Sequence, residues 1–267
     1  MKTSVVFMVL GGDRRMRACA DGLRSLGYPV CDLPSPNFDT FTSQIKGTNV
    51  LILPIPALSG ECINGTSLQV QQVLSAVPPA TAVFAGVIPT DLKMRIVDYN
   101  LDEAFQQAGA IATAEGAISI LIQELPITLH GATALIIGNG RIGKALSERL
   151  TALGMKVTVS ARKEQDWQDI AEKNLRTDHT GVYNHGLDYH CIINTVPAPV
   201  LSKVQLALVP KSCLLLDLAS RPGGLDWQAC EELELRAIHA LALPGKTSPN
   251  SSGLAIRDTV LDLLNLR

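Results

Sequence analysis

Aromatic side chains are scarce. Phe, Trp and Tyr make up only 4% of the 267 residues, too few for the stacking platforms that bind single-stranded nucleic acid. Positive charge is not in excess either, with 23 Lys and Arg against 25 Asp and Glu. Neutralising phosphates takes a basic surface, so a dedicated nucleic-acid binder is disfavoured. No apolar run approaches the ~18 residues that a membrane-spanning helix needs. The six cysteines, Cys19, Cys31, Cys62, Cys191, Cys213 and Cys230, contain no CxxC pair. They read as small buried hydrophobes in a reducing compartment, and the expected location is the cytoplasm. Met1 to Leu10 carries one Lys and an apolar run. Gly11-Gly12-Asp13-Arg14-Arg15 follows where a secretory signal would have its small-residue cleavage site. A buried first strand over Ser4–Leu10 is expected instead.

What is present is aliphatic. Hydrophobic residues are 46% and charged residues 18%, enough for a substantial core and against global disorder. The length suits one large domain or two ordinary ones. The 21 glycines and 15 prolines fit a parallel α/β protein with tight turns.

Apolar runs alternate with amphipathic helical patterns. After the first strand, Met16, Cys19, Ala20, Leu23 and Leu26 fall at helical spacing, and Gly27 suits the C′ position. Pro29–Leu33, Val50–Leu53 and Ala82–Ala85 are further expected strands, with Leu68–Leu74 helical. A second copy of this plan starts at Thr133–Ile137. A glycine turn, a helix through Ile142 and Leu150, and a strand over Lys156–Val159 follow. Cys191–Asn194 and Leu214–Leu218 extend the set. Ala114–Leu125 is expected to cross between domains as a helix, and Leu254–Leu266 to pack back on the first. The expected architecture is two doubly wound α/β domains joined by crossing helices. Residues 1–113 with 248–267 form the substrate domain, and 114–247 the nucleotide domain.

The strongest chemical motif is Gly138-Asn139-Gly140-Arg141-Ile142-Gly143. It follows an apolar strand and opens a helix, the context a dinucleotide fingerprint requires. Gly138 makes the tight turn, Gly140 lets the backbone approach a pyrophosphate, and Gly143 lets helix and strand pack closely. The helix N-terminus offers free N–H groups to the anion. An NAD site usually carries Asp or Glu at the end of the next strand. This chain has Val159-Ser160-Ala161-Arg162-Lys163 there, with no carboxylate to repel a 2′-phosphate. Ser160 as a donor, with Arg162 and Lys163 as cations, favours NADP. Ligands in such sheets bind beyond the carboxyl ends of strands. The loops Asn194-Thr195-Val196 and Ala219-Ser220-Arg221 are therefore expected at the nicotinamide. Asp217 is either a cap or a buried polar group.

The run Leu216-Asp217-Leu218-Ala219-Ser220-Arg221-Pro222-Gly223-Gly224 resembles the dipicolinate synthase A-subunit family. So do Ile193-Asn194-Thr195-Val196-Pro197, Gly11-Gly12-Asp13-x-Arg15, Glu115-Gly116, Ser160-Ala161-Arg162 and Leu243-Pro244-Gly245. The resemblance implies a flavodoxin-like N-terminal domain and a Rossmann NADP-binding domain. It implies oxidation of dihydrodipicolinate to dipicolinate with NADP+ in the mother cell of a sporulating bacterium. It also implies a partner, a flavoprotein-like B subunit. A homodimer is expected by analogy with related folds. Such an enzyme must hold two carboxylates, a task that suits Arg. Arg221, beside Ser220, is the first candidate. Arg14, Arg15, Ser59, Gly60 and Lys246 are further ones, and Glu115 is expected to orient the crossing helix.

Two other readings compete. A D-2-hydroxyacid dehydrogenase shares the architecture but needs a His paired with a carboxylate. None of His130, His179, His185, His190 and His239 falls in Pro244-Gly245-Lys246-Thr247-Ser248, where that family places it. His239 sits in an apolar strand as a core residue, and the spacing of His179, His185 and His190 matches no compact metal set. The other reading is a non-catalytic NADP(H)-binding protein that depends on its partner.

Overall fold

The computed structural model describes residues 5–266. The chain divides into two compact units. One runs up to Gly109 and takes in the segment from Ser248 onward; the other is Ala110–Thr247. In chain order the first unit holds β1 Phe7–Leu10, α1 Arg14–Ser25, β2 Val30–Leu33, α2 Phe38–Ile45 and β3 Val50–Ile52. A hairpin of β4 Leu58–Ser59 and β5 Cys62–Ile63 follows, then α3 Val70–Ala76, β6 Ala82–Ala85 and β7 Val97–Asp98. Helix α4, Glu103–Glu124, leads into the second unit. There follow β8 Thr133–Ile137, α5 Arg141–Ala152, β9 Lys156–Ala161, α6 Glu164–Glu172, β10 Arg176–His179 and β11 Cys191–Asn194. The unit ends with α7 Lys203–Leu206, β12 Leu214–Asp217, α8 Trp227–Glu232, β13 Arg236–His239 and α9 Leu243–Thr247. Helix α10, Pro249–Leu263, returns to the first unit.

The first unit's main sheet has the order β2-β1-β3-β6-β7 with every pair parallel, the flavodoxin-like order. The second has β10-β9-β8-β11-β12-β13, again all parallel, the doubly wound dinucleotide order. Both faces of each sheet are covered, which is why the central strands are apolar almost without break. In β1, Phe7 and Val9 join a core with Cys19, Leu23, Ile256 and Val260 of α1 and α10. Met8 and Leu10 join the opposite core with Phe41 of α2 and Val73 of α3. In β8, Ala134 and Ile136 pack on Ala117, Leu121 and Leu146, whereas Leu135 and Ile137 pack toward Leu206, Ala229 and Cys230.

Several expected bounds move. Ser4 lies outside the described residues, and the described part of the first strand begins at Phe7. β9 runs two residues past Val159, to Ala161. Helix α4 begins at Glu103, eleven residues before Ala114, because the Asp102 carboxylate accepts from Phe105 N and caps it. Helix α10 starts at Pro249, where proline's missing N–H costs nothing in the first turn. Burial pushes the thiols of Cys19, Cys191 and Cys213 up to about 12, and that of Cys230 to about 11. Among the described residues, no helix is long and apolar enough to cross a membrane.

Candidate functional site

The turn after β8 is shaped by its glycines. Gly138 has φ +104°, and a Cβ on it would lie 2.6 Å from Thr195 Oγ1 and 2.8 Å from Val196 Cγ2. A Cβ on Gly143 would lie 2.1 Å from the Gly138 carbonyl oxygen, so α5 packs onto the turn at a distance only glycine allows. Gly140 is different. It is the N-cap of α5 at φ −75°, has no side chain to cap it, and faces open space with nothing within 4 Å. Asn139 Nδ2 beside it is buried with no partner among the described residues. An exposed amide terminus, an open glycine and an orphan donor fit the pyrophosphate of a dinucleotide. Arg141 opens α5 on the surface, and Ile142 is half-buried against the core.

The end of β9 corrects one expectation. Ser160 is fully buried, and its Oγ accepts from Thr180 Oγ1 at 3.0 Å. It is therefore part of the β9–β10 packing and not a nucleotide donor. Arg162 and Lys163 are exposed, and Lys163 is the N-cap of α6. Trp167 Nε1 donates to Ala161 O at 3.0 Å and its ring tilts over His179, whose Nδ1 is buried without a partner among the described residues.

At the ends of β11 and β12 the polar groups form one network. Asn194 and Asp217 are both fully buried and are partners across the strands. Asn194 Nδ2 donates to Asp217 Oδ1 at 2.8 Å and to Val196 O at 3.0 Å, and Asn194 Oδ1 accepts from Val196 N. Asp217 also accepts from Ala219 N at 3.0 Å and Gly224 N at 2.7 Å. This is a second correction: Asn194 is fully buried and both its amide hydrogens are used, so its side chain shapes the loop and does not face a ligand. The half-buried Thr195 donates to Ile137 O, tying its loop to the glycine turn. Ala219 is buried and its carbonyl lies 2.9 Å from His239 Nε2. Between these anchors Ser220 and Arg221 are exposed, and Arg221 has no partner among the described residues.

The other candidates scatter by role. Arg14 is exposed at the start of α1. Arg15 is a correction. Its guanidinium spans the Asp13 carboxylate at 2.8–3.1 Å and donates to Ile55 O at 2.6 Å, with the side chain only 13% exposed. Burial opposes charge on Asp13, yet the bonds and charge of Arg15 outweigh it and lower the carboxyl's pKa. Arg15 thus holds the first unit's loops together. Ser59 and Gly60 lie exposed at the tip of the β4–β5 hairpin, not in a plain loop. Lys246 is exposed on α9, and Glu115 pairs with Arg149 across α4 and α5 at 3.6 Å. His190 Nδ1 accepts from Thr133 N, and His185 Nδ1 meets Arg176 Nη2. No His, Cys, Asp or Glu group suited to a metal occurs among the described residues. The residue pattern alone leaves Asp217 undecided and does not reveal the Trp227–His239 stack, with ring centroids 5.0 Å apart. The one available signal is that Asp217 and His239 both end strands at the carboxyl edge.

Residues 104–219 match the family described as D-isomer specific 2-hydroxyacid dehydrogenase, NAD binding domain. The A subunit of dipicolinate synthase from Bacillus subtilis (strain 168) is 29% identical, over 99% of this chain and 97% of its own. The crystal structure of the Bacillus subtilis protein superposes with a TM-score of 0.84 at 27% identity, covering 98% of this chain and 96% of that one. Its counterpart from Bacillus halodurans gives 0.87 at 26%, covering 99% of each. The chain therefore resembles the A subunit of dipicolinate synthase along essentially its whole length. It is a two-unit oxidoreductase with a Rossmann-type unit for a nicotinamide cofactor.

Proposed function

We propose that this chain oxidises dihydrodipicolinate to dipicolinate with NADP+, in the mother cell of a sporulating bacterium. The observation that carries the reading is Arg221, an exposed guanidinium with no partner among the described residues, on a loop anchored at both ends to Asp217. A fork of donors held at the carboxyl edge of a dinucleotide sheet suits a carboxylate beside the nicotinamide. When bound, the cofactor supplies the hydride acceptor. The chain's own residues have to orient the ring and grip two carboxylates. Ser220 backs Arg221, and Arg14, Ser59, Gly60 and Lys246 are the further donors. The relative's designation by the letter A supports a partner of different sequence. We assign that role to a flavoprotein-like B subunit, with homodimerisation of this chain as a further proposal.

The test is NADPH formation from enzymatically generated dihydrodipicolinate, with this chain alone and with the B protein. A rate in either case is expected; none in both rejects the reading. Arg221→Lys should raise KM for the dicarboxylate about tenfold, because a point charge replaces a bidentate fork. A loss confined to NADP+ affinity would remove Arg221 from the substrate side.

For the cofactor, the pyrophosphate turn, Asn139, Arg141, Ile142, Thr195, Val196 and Ala219 line the proposed path. Arg162 and Lys163 are assigned to the 2′-phosphate. Arg162→Ala should weaken NADP+ about tenfold, the size of one lost charge-assisted bond, and leave NAD+ unchanged. Calorimetric titration with both nucleotides measures this; equal affinity of the unaltered chain for the two would overturn the NADP assignment. The 104–219 match favours one second reading, oxidation of a D-2-hydroxyacid. It predicts turnover of small 2-hydroxyacids, although α9 carries no histidine to take the hydroxyl proton.

A further inference from the structure

One histidine borders the Arg221 loop and has no role in the function proposed so far. His239 ends β13, in register with Asp217 of β12. Its Nε2 lies 2.9 Å from the Ala219 carbonyl oxygen. A carbonyl oxygen only accepts, so Nε2 must carry the proton. In a neutral ring this leaves Nδ1 as a lone-pair acceptor. Nδ1 has no partner among the described residues and is not among their buried, unpaired atoms. The half-buried ring is stacked on Trp227 at 23° between planes, which limits its rotation. Trp227 Nε1 is itself buried without an acceptor among the described residues, close to Gly223 of the same loop. The other histidines differ. Nδ1 is occupied in His185 and His190 and buried in His179. His130 is packed under Gly154 at the start of β9, away from the carboxyl edge.

We propose that His239 Nδ1 is the base that takes the ring proton as the dihydropyridine becomes aromatic. The inference rests on the dihydrodipicolinate reading. One ring C–H bond breaks with its electron pair leaving as hydride to the nicotinamide, the oxidant. A C–H bond on the neighbouring ring carbon breaks, its proton goes to Nδ1, and its electron pair becomes the new ring double bond. The substrate loses two electrons, the nicotinamide gains two, and His239 becomes imidazolium. The chain is built to receive that charge. The Nε2–H bond to Ala219 strengthens once the ring is cationic. Because Ala219 also bonds Asp217 through its own N–H, the base and the Arg221 loop share one anchor.

Nitrogen-15 NMR of the full chain, labelled in histidine, reads the premise directly. The Nε2–H tautomer is expected for His239, and a neutral Nδ1–H tautomer overturns the proposal. Kinetics read the role. His239→Ala should lower kcat about 100-fold, the lower end for a general base because aromatisation drives the step. KM and NADP+ affinity should stay within about threefold, and added imidazole should restore activity. His239→Gln keeps an N–H for Ala219 but lacks a base, so it should fold like the unaltered chain and be as slow as His239→Ala. An unaltered kcat in either variant, no rescue by imidazole, or a parallel loss of NADP+ affinity would each overturn the base. In all three cases the unaltered chain would still turn over dihydrodipicolinate. Failure of the unaltered chain, with the B protein present, would instead remove the substrate reading and this inference with it.

Discussion

Asp217→Ala should destabilise the second unit by about 3–5 kcal/mol, the range seen when one partner of a buried charged cluster is removed. The carboxylate is fully buried and takes three hydrogen bonds, from Asn194 Nδ2, Ala219 N and Gly224 N. Truncation leaves three donors without an acceptor, and each buried unpaired group costs about 1–3 kcal/mol. Water entering the space recovers part of the sum, which keeps the total below simple addition. Asp217→Asn should cost less, about 1–3 kcal/mol, since one oxygen still accepts while the new amide confronts a donor. The two tryptophans, Trp167 and Trp227, both lie in the second unit. Urea unfolding followed by their fluorescence therefore reports that unit by itself. Asp217→Ala should also raise KM for the dicarboxylate, because the loop that carries Arg221 loses both its anchors. A midpoint for Asp217→Ala within about 0.5 kcal/mol of the unaltered chain, the usual span of a neutral surface change, would show that the carboxylate is not the anchor.

Gly143→Ala and Gly140→Ala should separate packing from ligand binding. At Gly143 the added carbon would sit 2.1 Å from the Gly138 carbonyl oxygen. Backbone cannot yield there without moving α5 off its strand. Loss of stability by about 1–3 kcal/mol is expected, as for an overpacked core, together with loss of nucleotide binding. At Gly140 the added carbon meets nothing within 4 Å, and φ is −75°. Stability should stay within about 0.5 kcal/mol. If the turn holds the pyrophosphate as proposed, nicotinamide nucleotide affinity should nevertheless fall about 100-fold, or about 2.7 kcal/mol, because that carbon would stand between the anion and the amides. Calorimetric titration beside thermal unfolding measures both. Unchanged nucleotide affinity in Gly140→Ala would move the pyrophosphate away from this turn.

These two glycines also mark what is legible in the residue order alone. A glycine turn between an apolar strand and an amphipathic helix is a local object. Its strand, turn and helix are neighbours along the chain, and the backbone demands at Gly138 and Gly143 are met by residue type. The central strands are legible for a related reason: burial on both faces leaves an apolar run that nothing else explains.

The short polar strand β10 carries no such signal. Arg176–His179 becomes a strand where β9 offers it a parallel ladder. The site residues divide the same way. Ser160 has the chemistry of a phosphate donor, but Thr180, twenty residues on, closes over it. Arg15 has the chemistry of a carboxylate clamp, but Ile55 O, forty residues on, takes its guanidinium. Asn194 and Asp217 are silent as single residues and form a network only when β11 and β12 lie side by side.

The sequence by itself determined that this is an α/β chain with a glycine turn of the dinucleotide type and two doubly wound halves, because those features depend on neighbours along the chain. Only the tertiary structure decided which polar side chains remain open to a ligand and which are consumed in holding the loops. That choice depends on hydrogen bonds between strands far apart in sequence. The scarce aromatics follow the same rule: of the two tryptophans, one tilts over His179 and bonds Ala161 O, and the other stacks on His239 close to Gly223 of the Arg221 loop.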